Sequence, residues 1–114
     1  MKSILLLLVS SYSLLLNHCN KHSNETPSCI AQKIEFIKTQ PKWNPAAEVN
    51  EYLYQDKKVY LFTSNCCDQY IELYDENCNY LCAPSGGITG KGDGKCADFY
   101  TTSKHIKFIW KDPR

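Results

Sequence analysis

Seven cysteines carry the chemistry that depends on spacing in this chain: Cys19, Cys29, Cys66, Cys67, Cys78, Cys82 and Cys96. Two kinds of chemistry use such a set. Thiolates at short spacing, as in Cys66-Cys67 with Cys78-x-x-x-Cys82, can hold zinc. Paired thiols in an oxidising compartment instead form disulfides, and an even number is what that requires. Cys19 stands apart near the N-terminus, which leaves six, Cys29, Cys66, Cys67, Cys78, Cys82 and Cys96. No histidine lies among them, so three disulfides are expected rather than a metal, and their connectivity stays open. Adjacent cysteines rarely bond each other, because the linking peptide resists the geometry. In a strand they point to opposite faces, so Cys66 and Cys67 are expected to staple two different elements. A redox-active Cys66-Cys67 pair is the sharper alternative.

The second chemical feature is a glycine loop. All five glycines fall between Gly86 and Gly94: Gly86, Gly87, Gly90, Gly92 and Gly94. Such a density calls for backbone at positive φ or in close approach to something. Together with Thr89, Lys91 and Asp93 these residues form a candidate binding loop between Cys82 and Cys96. Known glycine chemistries do not match it. A P-loop needs glycine where Ser85 stands, and Ser or Thr where Gly92 follows Lys91. A dinucleotide fingerprint needs a helix after the glycines, whereas Cys96 and a strand follow here. A calcium loop needs oxygen ligands at alternate positions, and Asp93 and Asp98 are the only acids nearby. Asp93 is expected to accept backbone N–H groups of its own turn.

No catalytic residue is identified. The three histidines are His18, His22 and His105, and none has a nucleophile or carboxylate at a recognisable spacing. Lys plus Arg is 13 against 12 for Asp plus Glu. That balance, with no long basic run, gives no footprint for nucleic acid. No cofactor is expected.

The elements that must carry these residues can be read from periodicity. Ile30, Ile34 and Ile37 recur at helical spacing, with Thr26 as cap, Pro27 at the first helical position and Pro41 beyond the end. Cys29 flanks that stripe and is placed to staple the helix. Trp43 reads as a lid on the core. From Val49 the period becomes two. Residues 48–54 and 58–63 read as a hairpin around Gln55-Asp56-Lys57. Further strands are expected at 70–74, 79–83 and 105–110, the last with Ile106, Phe108 and Trp110 on its packed face. Tyrosine is frequent, at eight, and reads as sheet packing rather than as a cleft. The expected fold is α+β: one N-terminal helix on an antiparallel sheet of four to five strands, stabilised by disulfides.

The N-terminus reads as an export signal. Lys2 precedes an almost wholly apolar run from Ile4 to Leu16. That run is shorter than the roughly twenty residues a spanning helix needs. Cys19 follows it directly, with Leu16 three positions earlier, as in a bacterial lipoprotein site where the thiol carries lipid; His18 departs from the small residue usual before such a cysteine. The expected organisation is a signal over residues 1–18, a polar tether over 19–27 and one domain over 28–114. The expected location is the cell envelope, anchored to the membrane by lipid, or outside the cell.

Three segments together, Cys66-Cys67-Asp68-Gln69-Tyr70, Gly86-Gly87-Ile88-Thr89-Gly90-Lys91-Gly92-Asp93-Gly94-Lys95-Cys96 and Ile109-Trp110-Lys111-Asp112-Pro113-Arg114, resemble a family of small bacterial exported proteins of unknown function. The resemblance implies export and often lipid attachment, and implies no activity. The functional expectation is a non-enzymatic envelope module that meets an envelope or extracellular partner through the Cys82–Cys96 loop. A protease inhibitor presenting that loop and a thiol-redox protein using Cys66-Cys67 are the alternatives.

Overall fold

A computed structural model describes residues 25–114. The expected signal, Cys19 and the expected tether as far as residue 24 lie outside the described residues. Helix α1 runs Ser28–Thr39, followed by β1 Glu48–Tyr54, β2 Lys57–Phe62, β3 Tyr70–Asp75, β4 Tyr80–Gly86, the short helix α2 Phe99–Thr102, and β5 Lys104–Lys111. The strands form one antiparallel sheet in the order β4-β3-β2-β1-β5. The class is α+β.

Strand β4 ends at one edge of the sheet and β5 begins at the other. The chain between them therefore crosses the sheet, and it does so on the face away from α1. Alternation along β2 shows the two layers. Tyr60 and Phe62 pack with Ile30, Ile34 and Ile37 of α1, while Val59 and Leu61 pack with Cys82, Cys96 and Phe99. Period two sends neighbouring side chains to opposite faces, so a sheet covered on both sides needs apolar residues at consecutive positions. That is why 59–62 is a continuous apolar run.

Local chemistry places the element ends. Pro27 occupies the N-cap position and α1 starts at Ser28, one residue later than Thr26 capping would give; no side chain caps it. The far end of α1 is closed from a distance. The Arg114 guanidinium donates to the carbonyls of Lys38, Ile37 and the C-cap residue Gln40, at the end where helix carbonyls run out of intrahelical donors; Ile37 also accepts the Gln40 N–H. Buried Asp112 holds Arg114 in place, with Oδ2 2.7 Å from Nη2, and its own N–H reaches Ala47. The turn between β1 and β2 is two residues, not three. Gln55 and Asp56 both take positive φ, the type I′ pattern that matches strand twist.

Four tyrosines end on carboxylates: Tyr54 on Asp98, Tyr60 on buried Glu51, Tyr74 on Glu72, and Tyr80 on Asp93. Each ring packs while its hydroxyl finds an acceptor, which is what burial of a phenol demands. The aromatic surplus of the sequence is spent largely in this way.

Strand β5 departs from the expected face. Two register shifts interrupt its pairing with β1. Ile109 and Trp110 pack against the core, whereas Ile106 and Phe108 are exposed. A bulge inserts a residue and reverses the sense of alternation beyond it. Strand β4 also continues past Ala83 to Gly86, with Pro84 tolerated because β4 is an edge strand.

Candidate functional site

The cysteines pair as Cys29–Cys78, Cys82–Cys96 and Cys66–Cys67. The first ties α1 to the turn between β3 and β4. The second fastens the crossing segment onto the sheet, with both sulfurs buried in the α2-side core. The third corrects the expectation that Cys66 and Cys67 staple separate elements. They lie in the irregular segment between β2 and β3, where strand alternation does not apply, and they bond each other. Three bonded pairs point to an oxidising compartment. Among the described residues no helix is long and apolar enough to cross a membrane.

The glycine loop is a tight, self-satisfied turn. Gly90 N–H donates to Gly87, Gly92 N–H to Gly86, and Asp93 N–H to Ala83, so residues 91–93 run back along the end of β4. Thr89 Oγ1 accepts from the Lys91 N–H. Ile88 stands at the tip, 90% exposed. Asp93 Oδ1 accepts the Lys95 N–H at 3.0 Å and Oδ2 accepts the Tyr80 hydroxyl at 2.7 Å. Those two donors, Tyr80 first, hold the Asp93 carboxyl below the usual range, while burial and then the Asp93 carboxylate push the Tyr80 phenol up to about 12. Among the described residues no group of three or more His, Cys, Asp or Glu side chains gathers to hold a metal. His105, exposed on β5, contacts Asn50 at 2.9 Å.

A test of the Asp93 arrangement follows from its depressed pKa. A carboxyl whose folded value lies below its unfolded one contributes stability above about pH 4, and that contribution is lost as pH falls through the folded value. Asp93→Asn is expected to leave the urea midpoint at pH 7 nearly unchanged, since the Asn side chain can still bond both partners. It is also expected to flatten the loss of stability below about pH 4. Urea titrations across that range check it. An unaltered acid limb, or a melting temperature raised by calcium in the natural chain, would overturn the internal role of Asp93.

A site with room for a ligand lies beside this loop. A cleft of about 440 Å³ opens between α1 and the segment joining β2 to β3. Its walls include Trp43, Phe62, Tyr70 and Tyr74, with Lys33 and Glu72 among them. Trp43 thus covers the core and faces the cleft at once. The Lys33 ammonium lies over the Tyr74 ring, 4.3 Å from its centroid. Asp68 and Tyr70 also belong to a second recess of about 400 Å³, which continues past Tyr70 to Gly87, Ile88 and Thr89. The two motif segments meet here. Gly87 N–H donates to the Gln69 carbonyl, and a Cβ at Gly87 would press into the Tyr70 ring. Gly87 is suited to this place twice over, by its φ of +75° and by the Tyr70 ring that lies where a Cβ would be.

Of the loop residues singled out by sequence, Gly86, Gly87 and Thr89 border Tyr70, as does Gly92 through the second recess. Gly90, Lys91, Asp93 and Gly94 form the turn and its return. Sequence reasoning did not find Lys33, Phe62, Glu72 or Tyr74, which come from three separate elements. The signal that was available is the run Asp68-Gln69-Tyr70 directly after the cysteine pair.

No curated protein and no solved structure matches the chain. A family model does match, over residues 35–112, and it takes in both walls of the cleft beyond the first turns of α1, the glycine loop and five of the six bonded cysteines. The chain belongs to that family, DUF6970, a domain of unknown function.

Proposed function

We propose that this chain is an exported, lipid-anchored, non-enzymatic module of the cell envelope that binds a peptide segment of a partner protein in the cleft beside Tyr70. The observation that carries the reading is the cleft itself: an open groove of about 440 Å³ walled by Phe36, Trp43, Phe62, Tyr70 and Tyr74, with Lys33, Asp68 and Glu72 as its charged groups, beside the contact between the two sequence motifs. Concave, mainly apolar sites with a small number of placed polar groups are where ligands bind. The glycine loop supports the cleft more than it competes with it, since its polar groups are spent on its own turn. Asp68 and Glu72 set two carboxylates against the single Lys33 ammonium. The favoured occupant therefore brings an apolar side chain together with a positive charge.

Fluorescence of Trp43 in a Trp110→Phe background tests this. Short peptides carrying Phe or Leu beside Lys or Arg should change its emission saturably, and acidic counterparts should not. Joint Asp68→Asn and Glu72→Gln substitution should weaken binding about tenfold. Equal response to both peptide classes, or unaltered affinity in the double variant, would reject the cleft reading. The anchor is tested separately. Cys19→Ser should move the protein from the membrane to the soluble fraction of cells, and a natural chain that is already soluble would reject it.

A further inference from the structure

The three disulfides cannot share one purpose. Cys29–Cys78 spans 49 residues and Cys82–Cys96 spans 14, so each removes loop entropy from the unfolded chain. Cys66–Cys67 joins neighbours and closes no loop. Its contribution to stability by that route is negligible, and its position suggests a different role.

Access separates the bonds in the same way. Cys82 and Cys96 are each 3% exposed. Cys29 and Cys78 are half-buried between α1 and the β3–β4 turn, while Cys66 and Cys67 are both exposed on an irregular segment. Thiol–disulfide exchange needs a thiolate to approach a sulfur, so reaction is favoured at the exposed bond. That segment is also a wall of the cleft. It is pinned at Thr63, whose N–H donates to Glu48, at Asn65, whose Oδ1 accepts from the Asn44 N–H, and at Gln69, whose carbonyl accepts from Gly87. The cysteines lie between these pins. Thr63 and Ser64 line the cleft on one side of them, and Asp68, Gln69 and Tyr70 on the other. Cys66 is held at φ 45°, a left-handed conformation that residues with a Cβ disfavour. Opening the bond removes a covalent constraint on that residue, midway between the two stretches that line the cleft.

We propose that Cys66–Cys67 is an exchange site for a dithiol protein, and that its reduction reshapes the cleft wall between Ser64 and Tyr70. The second half of this statement rests on the cleft being the binding site. In the first step a thiolate of the dithiol partner bonds to one of the two sulfurs and the Cys66–Cys67 bond breaks. The partner's second thiol then attacks the mixed disulfide. Two electrons and two protons pass to Cys66 and Cys67, which become thiols, and the partner leaves as a disulfide.

The experiment uses the full chain, in detergent, with graded dithiothreitol and, in parallel, a reduced dithiol protein of the Cys-x-x-Cys type. Free thiols are trapped with an alkylating agent and mapped by peptide mass spectrometry, while Trp43 emission is followed in the Trp110→Phe background. The untreated chain should show no labelled cysteine among the six. Cys66 and Cys67 should become labelled at least about tenfold faster than the other four, with a parallel change in Trp43 emission. The double variant Cys66→Ser, Cys67→Ser should keep the melting temperature and show the emission of the reduced chain. Labelling of all six together, or of Cys29 and Cys78 first, would overturn the exchange site. Selective labelling with unaltered Trp43 emission would overturn its control of the cleft. No peptide is present, so the outcome is independent of the binding titration.

Discussion

Paired alanine substitution of Cys82 and Cys96 is expected to remove about 3 kcal/mol of stability, and that of Cys29 and Cys78 about 4 kcal/mol. Both figures are chain-entropy values for loops set by separations of 14 and 49 residues. For a domain of this size the smaller loss alone lowers the melting temperature by roughly 12–24 °C. The Cys82–Cys96 pair loses more than entropy. Its sulfurs pack with Leu73, Val59 and Phe99 on the α2 side of the sheet, so removing them also opens space in that core. Ala rather than Ser is the right replacement there, because a buried hydroxyl without a partner adds its own cost. Loss of Cys29–Cys78 frees the start of α1 from the β3–β4 turn and leaves the Ile30, Ile34 and Ile37 stripe in place. Urea unfolding of each variant beside the natural chain checks both values. Paired alanine at Cys66 and Cys67 serves as the control, with a change near zero. If that control costs as much as the other two, the division of labour among the bonds is wrong.

Gly92→Ala is expected to cost about 4 kcal/mol, against about 1–2 kcal/mol for Gly94→Ala. The two glycines have nearly the same backbone, at φ +72° and +79°. Each therefore carries the same left-handed penalty for a side chain. Their surroundings differ. A Cβ at Gly94 meets nothing within 4 Å, whereas one at Gly92 would overlap the Ala83 carbonyl oxygen and lie 2.8 Å from the Pro84 carbonyl carbon and the Ser85 nitrogen. Those atoms belong to backbone and cannot rotate away. The strand-like bonds Gly92 N–H to Gly86 and Asp93 N–H to Ala83 hold the two segments together, so relief comes only by breaking them. Thermal unfolding of both variants decides it. Equal losses would show that the return of the loop onto β4 is loose.

Parts of this architecture were legible because they are local. The α1 stripe at 30, 34 and 37 is buried at all three positions, since a period of 3.6 acts within one element and needs no partner to be seen. The glycine density called for several residues at positive φ or in close approach, and all five glycines take positive φ. The β1–β2 hairpin was legible as two strands, but its turn was not, because Gln55 and Asp56 take the positive φ values that Asn-Gly normally advertises. The face of β5 was misjudged for a different reason. Alternation at Ile106, Phe108 and Trp110 is present in the residues, yet the bulges against β1 decide which of them reaches the core.

By itself the sequence determined the α+β class, the helix and its buried stripe, the strands, and the tight character of the glycine loop. These follow from propensity, period and the missing Cβ, all of which act between residues a few positions apart. Only the tertiary structure decided the cysteine pairing, the Arg114 closure of α1, the tyrosine–carboxylate pairs and the cleft beside Tyr70. Most of these join residues far apart in the chain, as Tyr54 with Asp98 or Arg114 with Lys38, while Cys66–Cys67 and Tyr74–Glu72 are local exceptions. Six cysteines allow fifteen pairings, and the one ranking their spacing offered, against bonding the neighbours Cys66 and Cys67, pointed away from the pairing the fold adopts. The choice is made by which sulfurs the fold brings within bonding distance, and the cleft exists only where α1, Trp43 and the segment joining β2 to β3 come together over Phe62, Tyr70 and Tyr74.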